Sequence, residues 1–553
     1  MQTPEKKSRR EFMAATLAGT AACGRNRPPN ILLALADDQS WLHTHCMGDA
    51  NVRTPNFDRI AREGVRFDHS YCASPSCTPS RTSILTGRHM WQTGEGGVLY
   101  GTLDPRIPLF PHLLADAGYH TGFTGKGWGP GEWQPGGLAR HPIGTEYNRR
   151  TLATLSSGIS DGDYAANFQD FLHDLPGGTP FFFWFGCREP HRPYEDGFGA
   201  RQGKLLDGVR VPPFWPDARE VRSDILDYCA EIDWFDRQLG AILAILEKAG
   251  ELDRTLVVVT SDNGMPFPRA KANLYDWGVR MPLAMRWPGQ IPAGKVRDDF
   301  ASLVDLAPTF LEAAGIAPPK GTSGTTLLAG GTRRDCVYTA LERHTWCRPD
   351  GATYPMRAIR TQHFLYIRNF KPDRWPTGGS DFVSSNKTFH GDVDEGPTKT
   401  FMLAEKDRFP RQFELGFGKR PEEELYDLAR DEFQMNNVAA DAKYADPKRK
   451  LWAAAPVSQR DRRPSVGRPG SVAGLRLSAD HRLRSDVQPQ SARIRSAGGG
   501  RTGFTQAGIV VLGTEMVVQI CFLPPHIRRA SVCDVTRHRA AEFCNIRIKS
   551  GLK

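Results

Sequence analysis

Two short apolar runs that end in acids set the strongest limit on how this chain folds. Asn30 to Ala36, N-I-L-L-A-L-A, lacks the alternation of a strand with one wet face, so it reads as a strand covered on both sides. Thr255 to Thr260 reads the same way. Such strands call for a mostly parallel sheet with helices above and below it. The first run stops at Asp37-Asp38, and the second leads into Ser261-Asp262-Asn263-Gly264. Open α/β sheets bind ligands at the carboxyl ends of their strands, so three carboxylates and an amide oxygen are expected at one edge. Each acidic stretch alone reads as a solvated turn, and it is the recurrence that argues for a shared ion. Hard oxygen donors suit calcium or magnesium and not zinc.

Further strands are expected at Val65 to Phe67, Thr121 to Thr124 and Phe181 to Gly186, a helix from Ile225 to Ala249 stopped by Gly250, and another from Asp305 to Ala314. After about Arg333 the segments shorten. Strands at Cys336 to Leu341, Met356 to Thr361, Phe364 to Asn369 and Glu424 to Leu428 lie between loops rich in Gly, Pro and Asp. Because 553 residues exceed one core, the expected organisation is an α/β domain over 29–333 and a smaller C-terminal α+β domain on an antiparallel sheet over 334–455.

Both ends read differently from the body. Lys6-Lys7-Ser8-Arg9-Arg10-Glu11-Phe12 followed by small and apolar residues predicts an export signal over 1–28, of the twin-arginine kind, with Cys23 as a candidate lipid anchor and a periplasmic or secreted destination. No other stretch is long and apolar enough to predict an integral membrane span. Leu451 to Lys553 holds 17 Lys and Arg against 6 Asp and Glu, or +11, which leaves −1 for the rest of a chain whose total is +10. The basic charge therefore belongs to the tail and gives the body no reason to bind nucleic acid. Residues 456–553 are expected to be poorly ordered and dispensable, with the text of a shifted reading frame as one origin. The 11 Cys follow no zinc or disulfide spacing.

Ser76 to Arg88 reads S-C-T-P-S-R-T-S-I-L-T-G-R. Pro79 suits a first helical turn, which puts Cys77 just ahead of a helix N-terminus, where anions are favoured. A lone Cys is ordinarily a small buried hydrophobe. The stretch C-T-P-S-R followed by T-G, however, resembles the signature of the sulfatases, in which this Cys is oxidised to formylglycine. The resemblance covers about Pro29 to Leu451. Ser261 to Tyr275, S-D-N-G-M-P-F-P-R-A-K-A-N-L-Y, and Tyr354 to Arg360, Y-P-M-R-A-I-R, are similar to the N-sulfoglucosamine sulfohydrolase (sulfamidase) branch.

That resemblance implies an alkaline-phosphatase-like fold and hydrolysis of a sulfated glycan, most closely the N-sulfated glucosamine of a heparan-like chain. It implies one calcium held by Asp37, Asp38, Asp262, Asn263 and modified Cys77, with a formylglycine-generating enzyme as partner during maturation. Arg81, Lys126 and Lys271 are then the sulfate-binding and polarising charges, and His191, in C-R-E-P-H-R-P, protonates the leaving group. Arg357, Glu342 and His344 become candidate sugar contacts. The chain departs from the family at Lys126-Gly127-Trp128, where sulfatases usually carry Lys-x-His. Three alternatives remain: an O-sulfatase, a phosphoester or phosphonate hydrolase of the same superfold, which mostly places Ser or Thr where Cys77 stands, and a glycan-binding relative that has lost turnover.

Overall fold

The computed structural model describes residues 27–328, 331, 333–384, 387–454, 507–508 and 521–522. The expected export segment, Cys23 and basic tail fall outside these residues, except for residues 27–28 and two dipeptides. The dipeptides, Ala507–Gly508 and Cys521–Phe522, pair antiparallel in a separate unit.

In the main unit, nine strands form one sheet: β1 (Asn30–Ala36), β2 (Val65–Tyr71), β3 (His120–Gly125), β4 (Thr145–Glu146), β5 (Phe181–Gly186), β6 (Thr255–Ser261), β7 (Arg280–Met281), β8 (Leu283–Arg286) and β9 (Lys295–Ser302). The order is β4-β3-β5-β1-β6-β8-β2-β7, with β9 also paired to β2. The predicted buried strand β1 lies at the centre, parallel to β5 through Leu33↔Trp184 and to β6 through Leu33↔Val258. β7 and β8 run antiparallel to their neighbours, so the sheet is mixed and mainly parallel.

Both faces of the centre are covered, as the unbroken apolar runs require. Ile31, Leu33, Leu35, Phe182 and Trp184 pack with Phe110, Leu114 and Phe310 from helices Phe110–Asp116 and Leu306–Ala313. Leu32, Ala34, Phe183 and Phe185 pack on the other side with Phe168, Phe235, Leu239 and Ile242 from helices Tyr164–His173 and Arg219–Lys248. Each such side chain removed from water contributes about 1.5–3 kcal/mol, which makes this sandwich a stiff base for the loops at the strand ends.

The long helix begins six residues before the expected Ile225. Its first turns are polar, yet Asp224 and Asp227 are buried because Arg192 bonds Asp224 and the amides of Gly197 and Gly199 donate to Asp227. It ends as read, with Gly250 at φ 70°. The segment read as one helix from Asp305 is a 3-10 turn, Leu303–Asp305, leading into Leu306–Ala313.

A second, antiparallel sheet contains β10 (Cys336–Leu341), β11 (Met356–Thr361), β12 (Phe364–Asn369) and β13 (Glu423–Asp427), in that order. One face, with Val337, Met356, Leu365 and Tyr426, joins the core of the large sheet, and Ile359, Tyr366 and Leu425 pack under Tyr444 and Leu451. A buried ion pair from Arg360 to Asp276 at 3.0 Å fastens the two sheets. Among the described residues, no helix is long and apolar enough to cross a membrane.

Candidate functional site

Asp37 and Asp38 follow β1, Asp262 and Asn263 follow β6, and all four are buried. The backbone holds them together. Asp262 Oδ1 accepts from the amides of Asp38 at 3.1 Å and Asn263 at 2.8 Å, and Asp38 Oδ1 accepts from Asn263 Nδ2 at 2.6 Å. Asp38 takes φ 74°, a left-handed conformation that is uncommon outside glycine and recurs at functional sites.

Cys77 faces this group from the first residue of helix Cys77–Thr86, not from just ahead of it as the sequence reading had it. Every residue of that helix is buried although most are polar. Its hydroxyls return to the backbone: Thr82 Oγ1 to Thr78 O at 2.8 Å, Ser83 Oγ to Pro79 O at 2.9 Å and Thr86 Oγ1 to Thr82 O at 2.8 Å. The Ser76 side chain, in the N-cap position, makes no cap bond and meets His344 Nδ1 at 2.8 Å instead. The positive end of the helix therefore points uncapped toward the carboxylates, where an anion is favoured. Cys77 Sγ is 3.7 Å from Asp37 Oδ1, and burial pushes the thiol up to about 12. Left as a thiol it stays protonated near neutrality, a poor nucleophile.

Three cations balance the acids. Arg81, one turn along the helix, donates from Nε to Asp262 Oδ2 at 2.7 Å and from Nη1 to the carbonyls of Lys126 and Gly127. Lys126 Nζ lies 2.5 Å from Asp37 Oδ2, and Lys271 Nζ lies 2.7 Å from Asp38 Oδ2. Burial alone would raise the Asp37 carboxyl, but Lys126 and Arg81 hold it well below the usual range.

His191 closes the group from beyond β5. Its Nδ1 faces the carbonyl of Arg192 at 2.7 Å and so carries a hydrogen, which leaves Nε2 toward Lys271 Nζ at 3.2 Å and Asp38 Oδ2 at 3.7 Å. An imidazole held this way can take or give one proton at Nε2. The sequence reading missed Asp394, whose Oδ2 is 3.1 Å from Lys271 Nζ. Against burial, which would raise it, Lys271 and His191 bring the Asp394 carboxyl well below the ordinary range. Asp394 sits in a loop with no local motif, so only the fold reveals it.

The structure thus brings together Asp37, Asp38, Cys77, Arg81, Lys126, His191, Asp262, Asn263 and Lys271, with His344 at the rim through Ser76. Arg357 and Glu342 lie in the small-sheet region as a buried ion pair with each other, and neither hydrogen-bonds a member of the cluster among the described residues. Trp128 is buried and donates from Nε1 to Thr82 Oγ1 at 2.8 Å, so its ring lies against the Cys77 helix where the family pattern has a histidine.

The chain is similar to known proteins in sequence and in fold. The sulfatase family model matches residues 29–316, and the model described as N-sulphoglucosamine sulphohydrolase, C-terminal, matches 269–376. The chain is 29% identical to human N-sulphoglucosamine sulphohydrolase over 468 residues, 76% of this chain and 88% of that protein. It is 26% identical to an ulvan-active sulfatase of Formosa agariphila over 79% of this chain and 76% of that one. A solved complex of an enzyme with its substrate D-glucosamine-2-N,6-O-disulfate superposes with a TM-score of 0.57 at 22% identity, over 80% of this chain and 99% of that one. The phosphonate monoester hydrolase of Agrobacterium radiobacter shares the fold at a TM-score of 0.53 and 20% identity, over 76% and 94% of the two chains. With a signature cysteine at the head of a buried helix, set among strand-end acids, and a family match over more than half its length, the chain belongs to the sulfatase family.

Proposed function

We propose that this sulfatase is exported and hydrolyses the sulfamate bond of N-sulfated glucosamine at the non-reducing end of a heparan-like chain. The observation that carries the reading is the origin of Lys271. It enters the cluster from the first residues of the 269–376 segment, which matches the model described as N-sulphoglucosamine sulphohydrolase, C-terminal. Asp37, Asp38, Asp262 and Asn263 are the residues that would hold calcium. In support of the fit, all four are buried oxygen donors, and Asn263 Oδ1 has no hydrogen-bond partner among the described residues. When present, calcium neutralises and polarises the sulfate oxygens, and formylglycine at position 77, installed by a formylglycine-generating enzyme, supplies the oxygen nucleophile for sulfur.

The chain's own residues do the rest. Arg81, Lys126 and Lys271 hold positive charge around the sulfate before reaction, so no solvent has to reorganise as charge moves among its oxygens. Overall, water adds across the S–N bond: sulfur gains an oxygen and nitrogen gains a proton. An amide-like nitrogen leaves only when protonated, and His191 Nε2 is the group oriented to supply that proton. The test is a direct assay of calcium-loaded, converted enzyme on glucosamine N-sulfate and on the 6-O-sulfate isomer, each as monosaccharide and as chain end. Sulfate is expected from the N-sulfate. Release only from the O-sulfate would overturn the sulfamate reading and leave the family assignment intact.

A further inference from the structure

Arg343 is a cation without an anion. Among the described residues its guanidinium makes no hydrogen bond and no ion pair, and its Nε is buried without a partner. Burial lowers it from its ordinary value by more than the nearby Glu95 and Asp392 carboxylates restore. Of the acids facing it, Asp392 is already engaged by Arg348 at 2.9 Å and Thr345 at 2.6 Å, and Glu95 forms no bond to it.

The guanidinium lies over the Trp346 ring at 5.1 Å from its centroid. The other partner of that ring is Tyr100, stacked at 5.0 Å with 8° between the planes, and Trp346 stays 39% exposed. An exposed aromatic backed by a parallel one, with a cation over its ring, offers a glycan both apolar surface and positive charge. Their place in the fold puts them at the reaction centre. Tyr100 N donates to Pro130 O at 3.0 Å, and the same carbonyl accepts from Thr78, next to Cys77. Trp346 follows by two residues His344, which meets Ser76 on the other side of Cys77. The Tyr100 phenol, raised by burial and then by Cys77, also feels Lys271, Asp394 and Lys126. Tyr100 adopts φ 61°, a strained backbone for an aromatic residue, which the packing of the site must maintain.

We propose that the exposed part of Trp346, backed by Tyr100, contacts the glycan and that Arg343 binds a second anionic group on it, a carboxylate or a sulfate other than the one released. The proposal rests on the glycan reading above and adds to it a preference for substrates with two anions. Two sources fit the chemistry: a 6-O-sulfate on the same sugar or the carboxylate of a neighbouring uronate.

The test measures kcat/KM for the full-length wild type, Arg343→Ala, Arg343→Lys and Trp346→Ala on two substrate pairs. One pair is glucosamine N-sulfate and glucosamine 2-N,6-O-disulfate. The other is the methyl glycoside of glucosamine N-sulfate and the same sugar linked to a uronate. The wild type is expected to favour the anion-bearing member of one pair about tenfold or more, as a charge-assisted contact predicts, and that pair names the source. Arg343→Ala removes the preference through KM, Arg343→Lys restores part of it, and Trp346→Ala raises KM on both members. No preference in the wild type, or equal losses on both members in Arg343→Ala, overturns the proposal. Failure of the sulfamate reading looks different, since wild type then releases no sulfate from glucosamine N-sulfate, which carries no O-sulfate. In that event calorimetric binding of the same pairs to wild type and Arg343→Ala decides, and tightness independent of the second anion or of Arg343 overturns it.

Discussion

Arg81 and Arg343 carry the same guanidinium close to the same centre, in opposite circumstances. Arg81 is fully buried, paired with Asp262 at 2.7 Å, and fixed by two backbone carbonyls on a helix that packs into the main core. Arg343 sits in the loop after β10, half-buried and unpaired among the described residues. The first is fixed by two carboxylates before any substrate arrives, with its Nη2 left without a hydrogen bond, and the second, on the proposal above, belongs to a wall whose charge awaits a ligand. Geometry that must be held to fractions of an ångström is built on strand ends and helices, and recognition is placed on loops that tolerate change.

The sharpest way to break the first half of this contrast is Asp262→Ala. It is expected to abolish sulfate release and to destabilise the protein by about 3–5 kcal/mol, because Arg81 is left as a buried charge without its close partner. Calcium should raise the wild-type melting temperature by mass action and leave that of the variant unchanged, so equal stabilisation of the two would refute the metal assignment. Next in size, His191→Ala should lower kcat by about 10²–10⁴-fold with little change in KM, as loss of a proton donor acting at the transition state predicts. A rise in KM alone would make His191 a binding residue.

A smaller effect sharpens the comparison through a carboxylate that has no cation. Glu231, in the long helix, is buried with both oxygens unbonded, and burial, then Glu189, raises it from 4.5 to about 9. The folded state therefore holds the proton while the unfolded chain loses it above about pH 4.5, so the wild type loses stability as pH rises from there to about 9. Glu231→Gln should stabilise by about 3 kcal/mol at pH 7 and by nothing below pH 4.5, as urea unfolding at the two pH values would show. A pH-independent difference would contradict the assignment.

How much could be read from the chain follows the same division. β1, β5 and β6 were legible because strands buried on both faces leave continuous apolar text, and the acids at their ends inherit their place from the sheet. Arg81 was legible because it shares a helix with Cys77. The start of the long helix at Arg219 was hidden, since its buried Asp224 and Asp227 look solvated until Arg192 and the Gly197 and Gly199 amides are in place. Asp394 and Tyr100 were not legible at all. Asp394 reaches Lys271 and Tyr100 reaches the Pro130 carbonyl beside Thr78, both from loops, and neither position has a periodicity or motif to announce it. Arg357 and Glu342, read as candidate sugar contacts at the junction of the two expected domains, form an ion pair with each other that the sequence did not announce.

The most direct measurement is the mass of the peptide containing Cys77 in active protein, taken together with sulfate release by the same sample. Activity should rise in proportion to the fraction of position 77 carrying an aldehyde in place of the thiol, and Cys77→Ala should have none. Full activity from protein whose Cys77 is wholly an unmodified thiol would contradict the reading of this cluster as a formylglycine sulfatase site.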